Sequence, residues 1–335
     1  MTHRQLPLVL FCGGGSGGHL TPGLAVADEL QRGDAPPEIL FLTGDRPVER
    51  RMMAAEPFPH RAFPLGSLRR TVTSLPAARG FAGTFRAARD AASGRPAVAV
   101  GTGGYASVPG VLGAKSAGAA VVLLEVNAVP GRATRALRSL AEAIVSDVPV
   151  RLPASLPAEE RRSLLILGGS QGAASLDAAV PAAAAALREE LRGWTVRHQC
   201  GTDAATIAAA YGAAGVTAEV APFFPNAASR LAAATLAIVR GGAVTLAEAE
   251  ALGAPIVVVP HPRAPDDHQT ANARRLAERS DRCRVVTDDG RLAESLAKAL
   301  HPWLTAPPPR RPAPGSTAAA DAAALIRAEL RRLSG

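Results

Sequence analysis

Three glycine-rich stretches hold many of the residues able to do chemistry in this chain. Gly13–His19 (GGGSGGH), Gly101–Tyr105 (GTGGY) and Gly168–Gly172 (GGSQG) each follow a short apolar run. Consecutive glycines let backbone N–H groups approach a phosphate, and the start of a following helix adds partial positive charge. Gly13, Gly15 and Gly18 satisfy the pattern G-x-G-x-x-G, and Asp45 stands where that fingerprint places a ribose-binding acid. No Gly-Lys-Ser/Thr triplet follows, which excludes a Walker A loop. One such loop reads equally well as a tight turn; three at strand ends point to a cleft holding several phosphates.

His19 closes the first loop at a helix N-terminus, where the dipole disfavours the imidazolium and leaves a ring able to accept a proton. The plainer reading is a capping histidine. Glu248 lies in the early turns of a helix opened by Gly241–Glu248 (GGAVTLAE), where a carboxylate is favoured and can accept from both hydroxyls of a ribose. For Glu248 and Glu250 the plainer reading is a surface acid complementing the dipole. Asp266–Thr270 with Asn272 forms a polar knot without helical metal-ligand spacing, and its Gln269 and Asn272 suit sugar hydroxyls better than a cation.

These residues need strands to deliver them. Apolar runs at Leu8–Cys12, Ile39–Thr43, Ala97–Gly101, Val121–Glu125, Ile144–Ser146, Leu164–Leu167, Thr195–Gln199, Leu236–Val239 and Ile256–Pro260 read as buried parallel strands. Helical stretches lie between them, at Thr21–Arg32, Val108–Ala117, Ala178–Leu191, Ala227–Ala233 and Thr245–Leu252. This alternation means an α/β protein with parallel sheets covered on both faces. Two strand–loop–helix openings, at Leu8 and Leu164, imply two Rossmann-like halves joined by the linker Pro149–Arg162. Pro307–Gly315 (PPPRRPAPG) stops any helix, and Ser316–Leu333 reads as one more, detached helix capped by Ser316 or Thr317.

Length agrees with that layout, since 335 residues suggest two domains at roughly 150 residues each. Hydrophobic residues at 47% and charged residues at 20% permit a large core and exclude global disorder. The net charge of +8 attracts anionic partners, but aromatics at 4% and dispersed arginines argue against nucleic acid. Cys12, Cys200 and Cys283 lie too far apart for a zinc ribbon and suit a reducing compartment. No apolar run is long enough to span a bilayer, so a soluble or peripheral protein is expected. In Ser67–Arg89, five arginines accompany Leu68, Leu75, Phe81 and Phe85, a composition suited to docking on anionic lipid. An ordinary helix with a solvated basic face reads the same way.

Taken in order, GGGSGGHLTPGLAVADEL, GTGGYASVPGVLGAKSAG, EVNAVPGRATR, LGGSQGAASLD, VRGGAVTLAEAEALGAP and DHQTANA resemble the MurG family over essentially the whole chain. The resemblance implies a GT-B glycosyltransferase: two Rossmann-like domains with parallel sheets facing across a cleft. Residues 1–150 would form the acceptor and membrane domain, with 316–335 packing back on it, and 151–315 the donor domain. It implies an inverting hexosyltransferase that moves GlcNAc from UDP-GlcNAc to the C4 hydroxyl of the MurNAc-pentapeptide on undecaprenyl-pyrophosphoryl lipid I. The product is lipid II, for peptidoglycan synthesis, cell-wall biogenesis, cell shape and division.

Carried over by position, the resemblance makes His19 the general base. It gives donor contacts to Ser16, Gly17, Gly18, Asn127, Arg151, Ser170, Phe224 beside the uracil, Ala243, Val244, Thr245, Leu246, Ala247, Glu248 on the ribose, and Gln269 on the GlcNAc hydroxyls. Gly14, Gly15, Gly103, Gly104 and Tyr105 would bind the acceptor diphosphate. No cofactor and no obligatory metal are implied. The partners are the two substrates, an anionic surface on the cytoplasmic face of the plasma membrane, and other cell-wall synthesis proteins. The chain departs from the family at Leu124 and Val126, where H-E-Q-N becomes Leu124-Glu125-Val126-Asn127, at Gly241, and at Phe223-Phe224-Pro225. Val148 also replaces the Asn of N-P-V-R. Two alternatives stand beside it: a GT-B enzyme with another lipid or small acceptor, and an NAD(P)-binding oxidoreductase built on Gly13–Gly18.

Overall fold

A computed structural model describes residues 6–15, 17–65, 74–169, 172–201, 203–310 and 317–335. The chain divides into two compact units, Met1–Arg151 with Thr317–Gly335, and Leu152–Ser316. The first is built on β1 (Leu8–Cys12), β2 (Glu38–Gly44), β3 (His60–Phe63), β4 (Ala97–Gly101), β5 (Ala120–Leu124) and β6 (Ala143–Val145). Their order is β3-β2-β1-β4-β5-β6, and every pairing is parallel. β1 is central, with Leu8 in register with both Glu38 and Ala97. All residues of β1, β4 and β5 are buried, as strands covered on both faces must be.

The two faces of β1 show how the covering works. Val9 and Phe11 join one cluster with Leu20 and Leu24 of α1 (Gly17–Gln31) and with Ala323 and Ile326 of the terminal helix Ala318–Ser334. Leu8, Leu10 and Cys12 join the other, under α3 (Leu75–Ala92) and α4 (Ser107–Ser116), after α2 (Pro47–Ala54). The terminal helix is thus a core element of the first unit, tied further by Arg327, which donates to the Glu29 carbonyl at 2.6 Å. A short α5 (Arg132–Leu137) precedes β6.

The second unit repeats the plan with β7 (Ser163–Leu167), β8 (Thr195–Gln199), β9 (Ala218–Ala221), β10 (Leu236–Val239), β11 (Ile256–Val258) and β12 (Cys283–Val285), ordered β12-β11-β10-β7-β8-β9. Its helices are α6 (Ala174–Ala186), α7 (Ala204–Ala213), α8 (Ala227–Ala233), α9 (Ala243–Ala251), α10 (His268–Ala277) and α11 (Leu292–Thr305). Among the described residues no helix is long and apolar enough to cross a membrane.

The differences from the sequence expectation have physical causes. β3, β9 and β12, each at a sheet edge, escape the reading because HRAF, AEVA and CRV need no continuous apolar run with one side unpaired. α1 starts at Gly17 rather than Thr21, so His19 lies within its first turn. Pro22 reads as a helix start, but it sits in the second turn, where its missing N–H forgoes one backbone bond. α6 likewise starts at Ala174 rather than Ala178, which shortens its glycine loop and brings Asp177 into the first turn.

The terminal helix supplies a test of this architecture. Ile326 is 0% exposed between α1 and the sheet. Ile326→Ala should cost about 2–5 kcal/mol by transfer and cavity terms. Denaturant unfolding of the full chain reads this, and a loss below 1 kcal/mol would remove the helix from the core of the first unit.

Candidate active site

In the first unit, chemistry-bearing residues gather where β1 and β4 end. The Gly13 N–H donates to the Leu42 carbonyl at 3.1 Å, and the Gly15 N–H to Glu49 Oε1 at 2.9 Å. Arg46 Nη1 donates to the Gly15 carbonyl at 2.9 Å. The second glycine loop packs against the first: a Cβ on Gly104 would lie 2.7 Å from the Gly14 carbonyl oxygen. His19 rests on that same loop, since a Cβ on Gly103 would come within 2.8 Å of its Cδ2 and one on Gly104 within 3.5 Å of its Nδ1. Gly103 and Gly104 have φ of 96° and 71°, so glycine is required twice over.

The fold therefore brings His19, Gly14, Gly15, Gly103 and Gly104 together. Gly17 and Gly18 precede His19 in the first turn of α1, whose leading N–H groups have no carbonyl within the helix to bond. Tyr105 lies beside Phe81, ring centroids 6.3 Å apart, and its buried hydroxyl has no partner among the described residues. Asp45 directly follows β2. It faces Arg50 at 3.7 Å, while Glu49, buried at 1% exposure, supplies the carboxylate that touches the loop.

Asn127 is placed by its neighbour. Glu125 Oε1 accepts from the Asn127 backbone N–H at 3.0 Å and from its Nδ2 at 3.2 Å, while Oε2 accepts from the Gly131 N–H at 2.8 Å. Leu124 and Val126 are buried, so the two departures from H-E-Q-N are absorbed as apolar packing. Arg151 is engaged elsewhere than the resemblance implies. Its Nε and Nη2 bond Asp28 at 2.6 and 3.0 Å, and its Nη1 bonds Glu56 at 2.6 Å. Burial opposes the charge, but these carboxylates raise the guanidinium above its ordinary value. Ser16 and Ser170 lie outside the described residues.

In the second unit, β10 ends in Arg240, which is 8% exposed although charged. Its Nη1 donates to Asp288 Oδ2 at 2.8 Å and to the Val259 carbonyl at 3.1 Å, and its Nη2 to Ser175 Oγ at 2.7 Å. Ser175 Oγ donates to the same Asp288 oxygen at 2.6 Å. This cluster ties the first turn of α6 to the loop before α9 and the loop before α11. Arg240, Ser175 and Asp288 were not among the residues singled out from sequence. The available signal was one arginine closing an otherwise apolar strand.

Behind Arg240, Gln269 and Asn272 clamp Gly241. Gln269 Oε1 accepts from the Gly241 and His261 N–H groups at 3.2 and 2.9 Å, and Asn272 Nδ2 donates to the Gly241 carbonyl at 3.1 Å. A Cβ on Gly241 would lie 2.4 Å from the Gln269 carbonyl oxygen, which explains glycine at this departure from the family pattern. The clamp presents the start of α9. There Ala243, Val244 and Leu246 are buried, while Thr245, Ala247 and Glu248 are half-buried.

Glu248 has no hydrogen-bond or ion-pair partner among the described residues, whereas Glu250 forms two bonds to Arg279 at 2.7 and 2.6 Å. Burial alone pushes the Glu248 carboxyl up to about 7. A desolvated, unpaired carboxylate is an acceptor in want of donors. Phe224 is 2% exposed and packs in the core, with the Arg230 guanidinium 4.3 Å above its centroid. Phe223 is the exposed ring of the pair, at 50%. Among the described residues no group of three or more His, Cys, Asp or Glu side chains could hold a metal ion.

Two Rossmann-like units with glycine loops at their strand ends define a GT-B glycosyltransferase, and the comparisons agree. Residues 9–146 match the glycosyltransferase family 28 N-terminal domain and residues 163–327 its C-terminal domain. A UDP-N-acetylglucosamine--N-acetylmuramyl-(pentapeptide) pyrophosphoryl-undecaprenol N-acetylglucosamine transferase from Stutzerimonas stutzeri is 37% identical over 321 residues, 87% of this chain and 89% of that one. One of the same name from Pelobacter propionicus is 33% identical, with the same shares covered. The crystal structure of Acinetobacter baumannii MurG superposes with a TM-score of 0.71 at 28% identity, over 96% of this chain and 99% of that one. The chain belongs to the MurG family of glycosyltransferases. This sets aside the oxidoreductase alternative.

Glu248 gives the site a pH signature. Its pKa is raised from 4.5 to about 7 on folding, so the folded state keeps a proton that the unfolded chain has released. Stability should therefore fall as pH rises from 4.5 to 7, by at most about 1.36 kcal/mol per unit, and stay level above. Glu248→Gln should remove that slope. Unfolding curves for both proteins across this range check it, and parallel profiles would mean the carboxyl is well solvated.

Proposed function

We propose that the chain transfers GlcNAc from UDP-GlcNAc to the C4 hydroxyl of the muramyl pentapeptide carried on undecaprenyl pyrophosphate, with inversion at the anomeric carbon. The observation that carries this reading is Glu248, a desolvated carboxylate in the second turn of α9 with no partner among the described residues, on the helix whose start Gln269 and Asn272 hold in place. Ribose hydroxyls are donors of the kind it lacks. The N–H groups at the starts of α6 and α9 suit the diphosphate, and an exposed Phe223 suits the uracil. Gln269 has its Oε1 committed to the Gly241 and His261 amides, so a bond to a GlcNAc hydroxyl would come from Nε2.

The first unit takes the acceptor in this reading. The leading amides of α1 and the loop Gly103–Tyr105 receive its diphosphate, and His19 removes the proton of the attacking hydroxyl. The UDP leaving group is stabilised by backbone amides, without an obligatory metal. Arg151 contributes only by exchanging its Asp28 and Glu56 partners for substrate. Glu125 is a poor substitute base, because both its oxygens already accept backbone N–H groups.

The two roles separate in kinetics. Glu248→Ala should lower UDP-GlcNAc affinity by about 1–3 kcal/mol, the cost of leaving polar groups unpaired. His19→Ala should leave that affinity intact and lower kcat about 10²-fold or more. Calorimetry with UDP-GlcNAc and turnover of the lipid-linked muramyl pentapeptide measure both. Unchanged affinity in the first variant, or normal turnover in the second, would overturn the corresponding role.

The enzyme would work as a peripheral protein on the cytoplasmic face of the plasma membrane, near other cell-wall synthesis proteins. α3 supports this: Leu75 is 63% exposed, Arg79, Arg86 and Arg89 are exposed, and Phe81 and Phe85 are half-buried beside them. The expected Ser67, Leu68, Arg69 and Arg70 part of this surface lies outside the described residues. Reversing Arg79 and Arg86 to Glu should weaken binding to anionic vesicles, most at low salt. Full retention in a sedimentation assay would place the contact elsewhere.

A further inference from the structure

The turn Gly13–Gly15 is held by a residue outside it in sequence. Glu49, at 1% exposure, lies in the first turn of α2. Its Oε1 accepts from the Gly15 N–H at 2.9 Å and the Gly44 N–H at 3.0 Å, and its Oε2 from the Arg46 N–H at 3.2 Å. The fit leaves no slack, since a Cβ on Gly14 would fall 2.0 Å from Oε1 and one on Gly44 2.6 Å from Oε2. Arg46 completes the tie through its bond to the Gly15 carbonyl.

The consequence reaches the acceptor side of the site. With Gly13 and Gly15 donating inward, to Leu42 and Glu49, the turn cannot offer those two N–H groups to an anion as it stands. What it sets instead is position. The Gly14 carbonyl abuts Gly104, and His19 lies over Gly103 and Gly104. Moving the turn moves the surface on which the His19 ring rests. A carboxylate beneath an anion site also repels the anion, so charge and position predict opposite effects for its removal.

We propose that Glu49 is a positioning residue for acceptor turnover, holding the Gly13–Gly15 turn so that His19 and Gly103–Gly104 keep one arrangement. This rests on the reading that the first unit takes the lipid-linked acceptor. Position outweighs charge because three N–H groups already offset part of the carboxylate's field, while a misplacement of about 1 Å at a reacting group can cost about 10²-fold in rate. Glu49→Gln keeps an oxygen able to accept from Gly15 and Gly44. Glu49→Ala removes all three bonds, and Glu49→Asp draws the carboxylate back from the turn.

The test uses the full chain with UDP-GlcNAc and the lipid-linked muramyl pentapeptide. Glu49→Ala and Glu49→Asp should lose at least about 10-fold in kcat/KM for the acceptor. The calorimetric affinity for UDP should remain within about twofold, and Glu49→Gln should recover most of the loss. If Glu49→Ala does not fold, Glu49→Asp and Glu49→Gln carry the comparison. Unchanged acceptor kinetics in the folded variants, an equal loss of UDP affinity, failure of Gln to rescue, or tighter acceptor binding would each overturn the proposal. Failure of the functional reading looks different: the unaltered chain would then not turn over this acceptor at all.

Discussion

Buried carboxylates holding backbone N–H groups are the interaction on which the rest of this molecule depends. A glycine loop at the end of a parallel strand leaves amides without a helix or sheet partner, and such groups are costly if left buried and unmet. Glu49 meets those of Gly15 and Gly44, Glu125 those of Asn127 and Gly131, and Asp177 that of Gly201. The loops thereby gain a fixed shape without side chains of their own. That leaves room at the loop surface, which is what close approach to a phosphate requires.

Where the supporting acid needs a counter-group, the fold supplies one. Asp288 is paired with Arg240 and Ser175, and the result joins two loops of the second unit through groups that are themselves nearly buried. Removing one partner of such a pair leaves the other as an uncompensated buried charge. Asp177 is met differently, by His198, whose Nε2 is 3.3 Å from Oδ1 and whose Nδ1 is 2.9 Å from the Tyr211 hydroxyl. Burial lowers the His198 pKa despite the pull of Asp177, which favours a neutral ring held by Tyr211 beside that carboxylate. The Glu248 carboxylate differs from these acids in having no hydrogen-bond or ion-pair partner among the described residues.

Central strands were legible because strands buried on both faces must be apolar throughout: β1, β4, β7 and β10 stand where the residues place them. Among the edge strands β6 was legible, but β3, β9 and β12 were not, because one unpaired side frees their composition. Helix starts were read late at Thr21 and Ala178, where proline and alanine content hid the point at which the glycine loops end. Among site residues, those inside glycine motifs were visible as motifs. Glu49 and Asp288 were not, because each lies in another segment and reaches its partner only through the fold: 34 residues separate Glu49 from Gly15, and 113 separate Asp288 from Ser175.

By itself the sequence determined the α/β class, the positions of the glycine loops and the family, since these rest on apolar runs and on ordered local motifs. Tertiary structure decided which polar groups are spent on the protein and which remain for substrate. Arg151 is spent on Asp28 and Glu56 and the Gly15 amide on Glu49, while the Glu248 carboxylate has no partner among the described residues. The reason is that a hydrogen bond or an ion pair is a relation between two groups. Local residue order names each group, but only packing brings the second one within reach.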